Sequence, residues 1–132
     1  MKVDALGTVW APRLLSILRI MTGLLFLQHG TAKLLKIPVV PMFANLSLTT
    51  PAGIAGILEL AGGVLMILGL FTRSVAFVLS GLMAVAYFMA HAPRGFYPIL
   101  NAGELAILFC FVFLYFAAAG PGPWSIDAAR QK

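Results

Sequence analysis

Seven residues carry most of the chemistry this chain can offer: Arg19, His29, Lys33, Glu59, His91, Asn101 and Glu104. All lie inside or at the ends of long apolar runs. Glu59 is the sharpest case, standing well inside the stretch 54–73 with glycines at 56, 62, 63 and 69. A charge at the centre of a membrane helix costs roughly 2.5–3.5 kcal/mol unless it is partnered, so a carboxylate there needs a reason. Histidine, lysine and amide groups donate hydrogen bonds, and carboxylates exchange protons. Gathered at one depth, they form a ligand-binding or proton-handling site for a small apolar molecule with polar head groups. No residue is assigned a catalytic role. His29, His91, Glu59 and Glu104 are of ligand types suited to zinc or iron, and the two histidines to haem. Yet no helix holds a His/Glu pair three or four apart, and Lys33 beside His29 opposes a cation. No metal site is expected.

The surrounding composition says which elements position these residues. The 132 residues are 61% hydrophobic and 10% charged, with a mean hydropathy of +1.01. A soluble domain carries about a quarter charged residues, so the sequence reads as one small membrane domain over 1–132 in contact with the lipid bilayer. The net charge of +5 sits at helix ends, where it anchors against headgroups. No basic run suggests a nucleic-acid surface. Cys110 is the one cysteine, which excludes an internal disulfide and dithiol chemistry. The first apolar run is long enough to span and lacks an early small-residue cleavage site, so it reads as a retained helix.

The fold class is all-α, an integral membrane four-helix bundle. Residues 1–11 lead in. Helices are expected over about 12–35, 51–70, 73–92 and 98–118, with a short tail helix over about 125–129, each opened by a proline or a capping hydroxyl. Arg19, Thr22, Phe26, His29 and Lys33 share one face of the first helix. Ser80, Ala84, Tyr87 and His91 share a face of the third. Asn101, Glu104, Leu108, Phe111 and Tyr115 share a face of the fourth, expected to point inward. The loop 36–50 is apolar and reads as a short interfacial or re-entrant segment. At 1.5 Å per residue, Glu59, Glu104 and His29 lie roughly 12, 9 and 10 Å below one surface, with His91 just above that layer. Arg19 lies deeper; it pairs with a carboxylate, bonds backbone carbonyls, or snorkels. Helices 1 and 2 are echoed weakly by helices 3 and 4, with His91, Arg94 and Glu104 in place of His29, Lys33 and Glu59.

His29-Gly30-Thr31-Ala32-Lys33, Glu59-Leu60-Ala61-Gly62-Gly63, and Gly69-Leu70-Phe71-Thr72-Arg73 together resemble the signature segments of the DoxX family. His91 with Gly95-Phe96, Glu104, and the tail Gly120-Pro121-Gly122-Pro123-Trp124-Ser125-Ile126-Asp127 also fit, so the resemblance covers essentially the whole chain. It implies a four-helix bacterial inner-membrane protein. The family takes its name from a subunit of a thiosulfate:quinone oxidoreductase, and some members are described as partners of redox or detoxification enzymes.

Three readings follow. In the first, the chain is a redox-associated subunit, not catalytic alone, whose polar cluster binds a quinone or similar small apolar molecule. In the second, it is a non-catalytic accessory or assembly partner whose buried charges fix helix register. In the third, it is a small transporter or proton pathway, which needs a homo-oligomer to enclose a path. Four spans place both termini on one side. Lys2, Arg13, Arg73, Arg130 and Lys132 fall on that side, against Lys33, Lys36 and Arg94 on the other, so both termini are expected in the cytoplasm. With Cys110 replaced by alanine and single cysteines placed at Lys2, Val40, Gly95 or Arg130, an impermeant thiol reagent added to intact cells should label only the second and third. Labelling at Lys2 or Arg130 would sink the topology.

Overall fold

The computed structural model describes residues 2–132; Met1, the start of the expected lead-in, lies outside them. Five helices make the fold, and no strand occurs among the described residues: α1 (Val3–Leu34), α2 (Pro51–Leu68), α3 (Thr72–Arg94), α4 (Glu104–Ala119) and α5 (Ile126–Arg130). The first three are long and apolar enough to cross a membrane, and α4 is apolar but shorter. The protein is an all-α, multi-pass membrane protein. Its chain falls into two compact units, one comprising the residues up to Thr72 with Pro121–Lys132, the other Arg73–Gly120.

Helix α1 begins at Val3 rather than at Pro12, because the turn Leu6–Trp10 is π-helical. Proline lacks an N–H and clashes with the carbonyl four residues back. A wider turn before it accommodates both defects. The same device recurs in α3, where the π-helical turn Tyr87–His91 precedes Pro93 and carries the helix on to Arg94. The start of α2 is as expected: Thr50 caps it, its Oγ1 accepting the Gly53 N–H at 3.2 Å, and Pro51 fills the first turn.

In the first unit α1 and α2 run antiparallel in a close, alternating contact. A Cβ on Gly23 would lie 2.9 Å from Ile67 Cγ1, and one on Gly30 would lie 2.5 Å from the Leu60 nitrogen. Conversely, a Cβ on Gly63 would lie 2.9 Å from Leu27 Cα, and one on Gly56 would lie 3.0 Å from Lys33 Cβ. Each helix in turn offers a bare glycine to the other's side chain, as membrane helices do when packing without a hydrophobic drive. In the loop after α1 only Pro41–Phe43 winds, into one 3-10 turn. Val39 is 80% and Met42 76% exposed. Lys36 ties the loop back, its ammonium donating to the Lys33 carbonyl at 3.0 Å and to the Phe43 carbonyl.

In the second unit α3 and α4 are also antiparallel. Arg73 donates to the Ala117 carbonyl at 3.2 Å and to that of Ala118, and Ser80 Oγ donates to the Cys110 carbonyl at 2.8 Å. The expected helix over 98–118 is broken. A single turn, Pro98–Asn101, ends at Ala102 in the left-handed region (φ 58°), and α4 restarts at Glu104. The break resets the helical phase. Ala106, Phe109, Phe113 and Phe116 point inward, while Leu108, Phe111 and Tyr115, expected to be inside, are exposed.

The close approach at Gly30 yields a prediction. Gly30→Ala should destabilise the protein in detergent by about 1–3 kcal/mol, because backbone rather than a movable side chain opposes the new methyl. Gly81→Ala, with no heavy atom within 4 Å of its Cβ, should be neutral or slightly stabilising. Thermal unfolding of both variants is the measurement, and equal melting temperatures would contradict the packing.

Candidate functional site

The glycine-rich face of α2 that packs on α1 also carries Glu59. Gly53, Gly56, Glu59, Gly62, Gly63 and Met66 are its buried residues. The carboxylate is therefore carried inward by the same spacing that brings the helices together, and it is 4% exposed. Lys33, reaching from α1 over Gly56, donates from Nζ to Glu59 Oε1 at 2.8 Å. Lys33 is thus the partner that a carboxylate at this depth requires. His29, one turn earlier on α1, is half-buried and within electrostatic reach of both. Glu59 Oε2 is buried without a hydrogen-bond partner among the described residues. The Phe43 ring lies 5.5 Å from Lys33 Nζ and covers the ammonium by a cation–π contact. The pair can neutralise its own charge, hold a polar head group and pass a proton; Phe43 supplies an apolar wall.

Arg19 is not part of that pair. It is fully buried and bonds backbone carbonyls, the second of the three arrangements open to it. Its Nε donates to the Met66 carbonyl at 2.8 Å, and its Nη2 to the Trp124 carbonyl at 2.7 Å and the Ile67 carbonyl at 3.5 Å. Its Nη1 donates to the Pro121 carbonyl. Met66 and Ile67 lie in the last turn of α2, where carbonyls lack intrahelical partners and a cation complements the helix dipole. Gly69 ends α2 in the left-handed region (φ 64°), and a Cβ there would strike Ser125 Cβ at 2.5 Å and Arg19 Cζ at 2.9 Å. The tail is fastened further by Trp124 N–H to Ser16 Oγ (3.1 Å) and Asp127 N–H to the Gly69 carbonyl (2.9 Å). The Asp127 carboxylate accepts the Phe71 and Thr72 N–H groups at 2.9 and 2.8 Å, where α3 begins.

Asn101, in the second unit, is fully buried and explains the break before α4. Its Oδ1 accepts the Gly103 N–H at 2.8 Å, and its Nδ2 donates to the Gly95 carbonyl at 2.9 Å and the Tyr87 hydroxyl at 3.2 Å. His91 Nδ1 lies 3.0 Å from the Asn101 carbonyl, and its ring stacks on Tyr87 with centroids 6.3 Å apart. Glu104 departs from the expected inward position: it is exposed. It sits in the first turn of a new helix, where a carboxylate is favoured by the helix dipole without burial. Two residues before Ala106, it points away from the buried face. Among the described residues no group of three or more His, Cys, Asp or Glu could hold a metal ion.

Ser16 and Phe43 take part in these contacts without standing out in the sequence, and Asp127 stood out only as part of the tail segment. Asp127 had a legible signal, as it follows Ser125 in a cap-like position after Gly-Pro-Gly-Pro. Phe43 had none beyond its aromatic character in a loop.

The DoxX family model matches residues 14–92, more than half of the chain. The chain belongs to the DoxX family. The match runs through the helix that carries Arg19, His29 and Lys33, the Glu59 helix, and α3 up to His91 and Ala92. An uncharacterized protein of Haemophilus influenzae is 45% identical over 122 residues, covering 89% of this chain and 91% of its own length. An uncharacterized membrane protein of Mycobacterium tuberculosis is 29% identical over 140 residues, covering 87% of this chain and 80% of its own. No solved structure matches this DoxX chain.

Asp127 gives the tail a pH dependence. Partial burial raises the carboxyl's pKa, but the Thr72 and Phe71 N–H groups and the Arg130 charge outweigh that and hold it below the ordinary 3.8. A depressed carboxylate stabilises the docked tail fully above 3.8 and loses that contribution as pH falls through the folded-state value. Amide hydrogen exchange, corrected for intrinsic rates, should therefore show protection of residues 121–130 falling in acid. Asp127→Asn should exchange faster at neutral pH and show little further change in acid. A wild-type tail whose protection does not respond to acid would refute the carboxylate clamp.

Proposed function

We propose that this DoxX protein is an inner-membrane subunit that works beside a redox enzyme and binds a quinone, or a similar small apolar molecule with polar head groups, at the Glu59 site. The observation that supports this most is the half-satisfied carboxylate. Glu59 is buried in a membrane hairpin, spends one oxygen on Lys33, and keeps the other without a partner among the described residues. A buried acceptor left unsatisfied costs more than a surface one, and more again when it is charged. An incoming head group removes that cost. Lys33 and His29 lie beside the carboxylate as a hydrogen-bonding base and a proton carrier. The protein binds and positions; the partner enzyme supplies the electrons. In this reading Arg19 holds the backbone that frames the site. Both termini face the cytoplasm, and the Lys33 end of α1 faces outward.

A second reading has its own support. Lys33 reaches Glu59 across Gly56, within the close contact of α1 and α2, which is where a register-fixing ion pair belongs. The DoxX protein is then an accessory that holds a partner enzyme at the membrane without a ligand of its own.

Gentle purification followed by organic extraction separates the two. A stoichiometric isoprenoid quinone or other apolar ligand in the wild type, lost in Glu59→Gln at equal folded yield, is the expected result. A ligand-free extract with an obligately co-purifying partner supports the accessory reading instead. Unchanged ligand content in Glu59→Gln removes Glu59 from the site.

A further inference from the structure

We infer that the Glu59 site selects an apolar molecule bearing an O–H donor over one that offers only carbonyl or ether acceptors. This rests on the reading that the site takes a small apolar ligand. The argument turns on which hydrogen-bonding capacity remains unspent. Glu59 is 4% exposed, and Lys33 Nζ stands 2.8 Å from Oε1. In that ion pair the carboxylate is charged, and an ionised carboxylate only accepts. Its unpartnered atom, Oε2, therefore calls for a donor. Lys33 Nζ gives one N–H to Glu59 and turns toward the Phe43 ring. A ligand carbonyl can take a remaining Lys33 N–H but leaves Oε2 as it is. A phenol, hydroquinone or alcohol meets Oε2 directly, and a hydrogen bond to a charged group is among the stronger ones available.

The surroundings fit a ring carrying that hydroxyl. Phe43 already places an aromatic face over Lys33 Nζ, and it does so from a one-turn segment of a loop. The loop is held at that point by the Lys36 bond to the Phe43 carbonyl. Loop segments with few buried contacts open at low free-energy cost, so an aromatic ligand can take a place beside Phe43 or displace it.

The test uses two probes matched in ring and size, 2-naphthol and its methyl ether, with the full-length protein in nanodiscs of neutral phospholipid. Partition into empty nanodiscs is subtracted. The wild type should bind the naphthol about tenfold or more tightly than the ether, as expected for a hydrogen bond to a charged group. In Glu59→Gln, whose amide both donates and accepts, the two affinities should converge to within about twofold. Equal affinity of the wild type for both probes overturns the donor preference and leaves the ligand reading intact. A preference that persists in Glu59→Gln assigns it to another group and also overturns the inference. Binding of neither probe above the empty nanodiscs overturns the ligand reading together with this one. The wild-type comparison decides the matter even if the variant does not fold.

Discussion

The first unit of this protein hangs on one buried guanidinium. A backbone carbonyl inside a bilayer has no water to accept from, so every helix end there must find a donor in the protein. Arg19 supplies donors to the last turn of α2 and to the tail together, joining three segments through four carbonyl oxygens. Its planar fork suits this better than a lysine's single point of charge. The second unit solves the same problem on its own terms, with Arg73 reaching the last carbonyls of α4. Arg73 is exposed and Arg19 is not. In the first unit the tail covers Arg19.

With the α2 terminus held, the alternating glycines can bring α1 and α2 into contact along their length, and that contact makes the Lys33–Glu59 pair. The pair could not be built by charge alone. Desolvating two ions is expensive, and the attraction repays it only with short, well-formed contact. The glycine at position 56 lets the lysine stem cross flat against α2 and end on the carboxylate. Packing and electrostatics thus meet in the same few residues. This is why the site supports both a binding reading and a register-fixing one, and why the unpartnered oxygen matters in choosing between them.

Much of this was legible in the sequence, and the illegible parts have physical causes. Hydropathy and prolines placed the apolar helices to within a few residues, except where a π-helical turn let α1 begin before Pro12 and where the break at Ala102 delays α4 to Glu104. The depth of Glu59 and the ladder of positions 19, 22, 26, 29 and 33 pointed to an inward polar face, and Lys33 meets Glu59 there. Glu104 failed the same reasoning because the fourth helix is not continuous. The left-handed Ala102 interrupts its phase, and a periodicity counted across a break assigns the wrong face. Nothing in residue types marks an alanine for φ +58°. The buried Asn101, which satisfies Gly103 and Gly95 across the break, is the cause, and it shows only in three dimensions. Arg19 was recognisable as costly but not as a carbonyl binder, since its partners are backbone atoms with no sequence signature.

The tail's place in the chain also imposes an order in time. Arg19 and the end of α2 are made early, whereas Pro121, Trp124 and Asp127 are made only after α3 and α4. At roughly 10 residues per second, about six seconds separate the synthesis of Gly69 from that of Asp127. Throughout that interval the guanidinium has only the α2 carbonyls to bind, and the Phe71 and Thr72 amides have no carboxylate. The nascent hairpin therefore waits in an unfinished state while α3 and α4 enter the membrane. The first unit is completed only once the tail has been made. A chain that stops short of residue 121 keeps all four apolar helices, but its Arg19 lacks two of its four carbonyl partners.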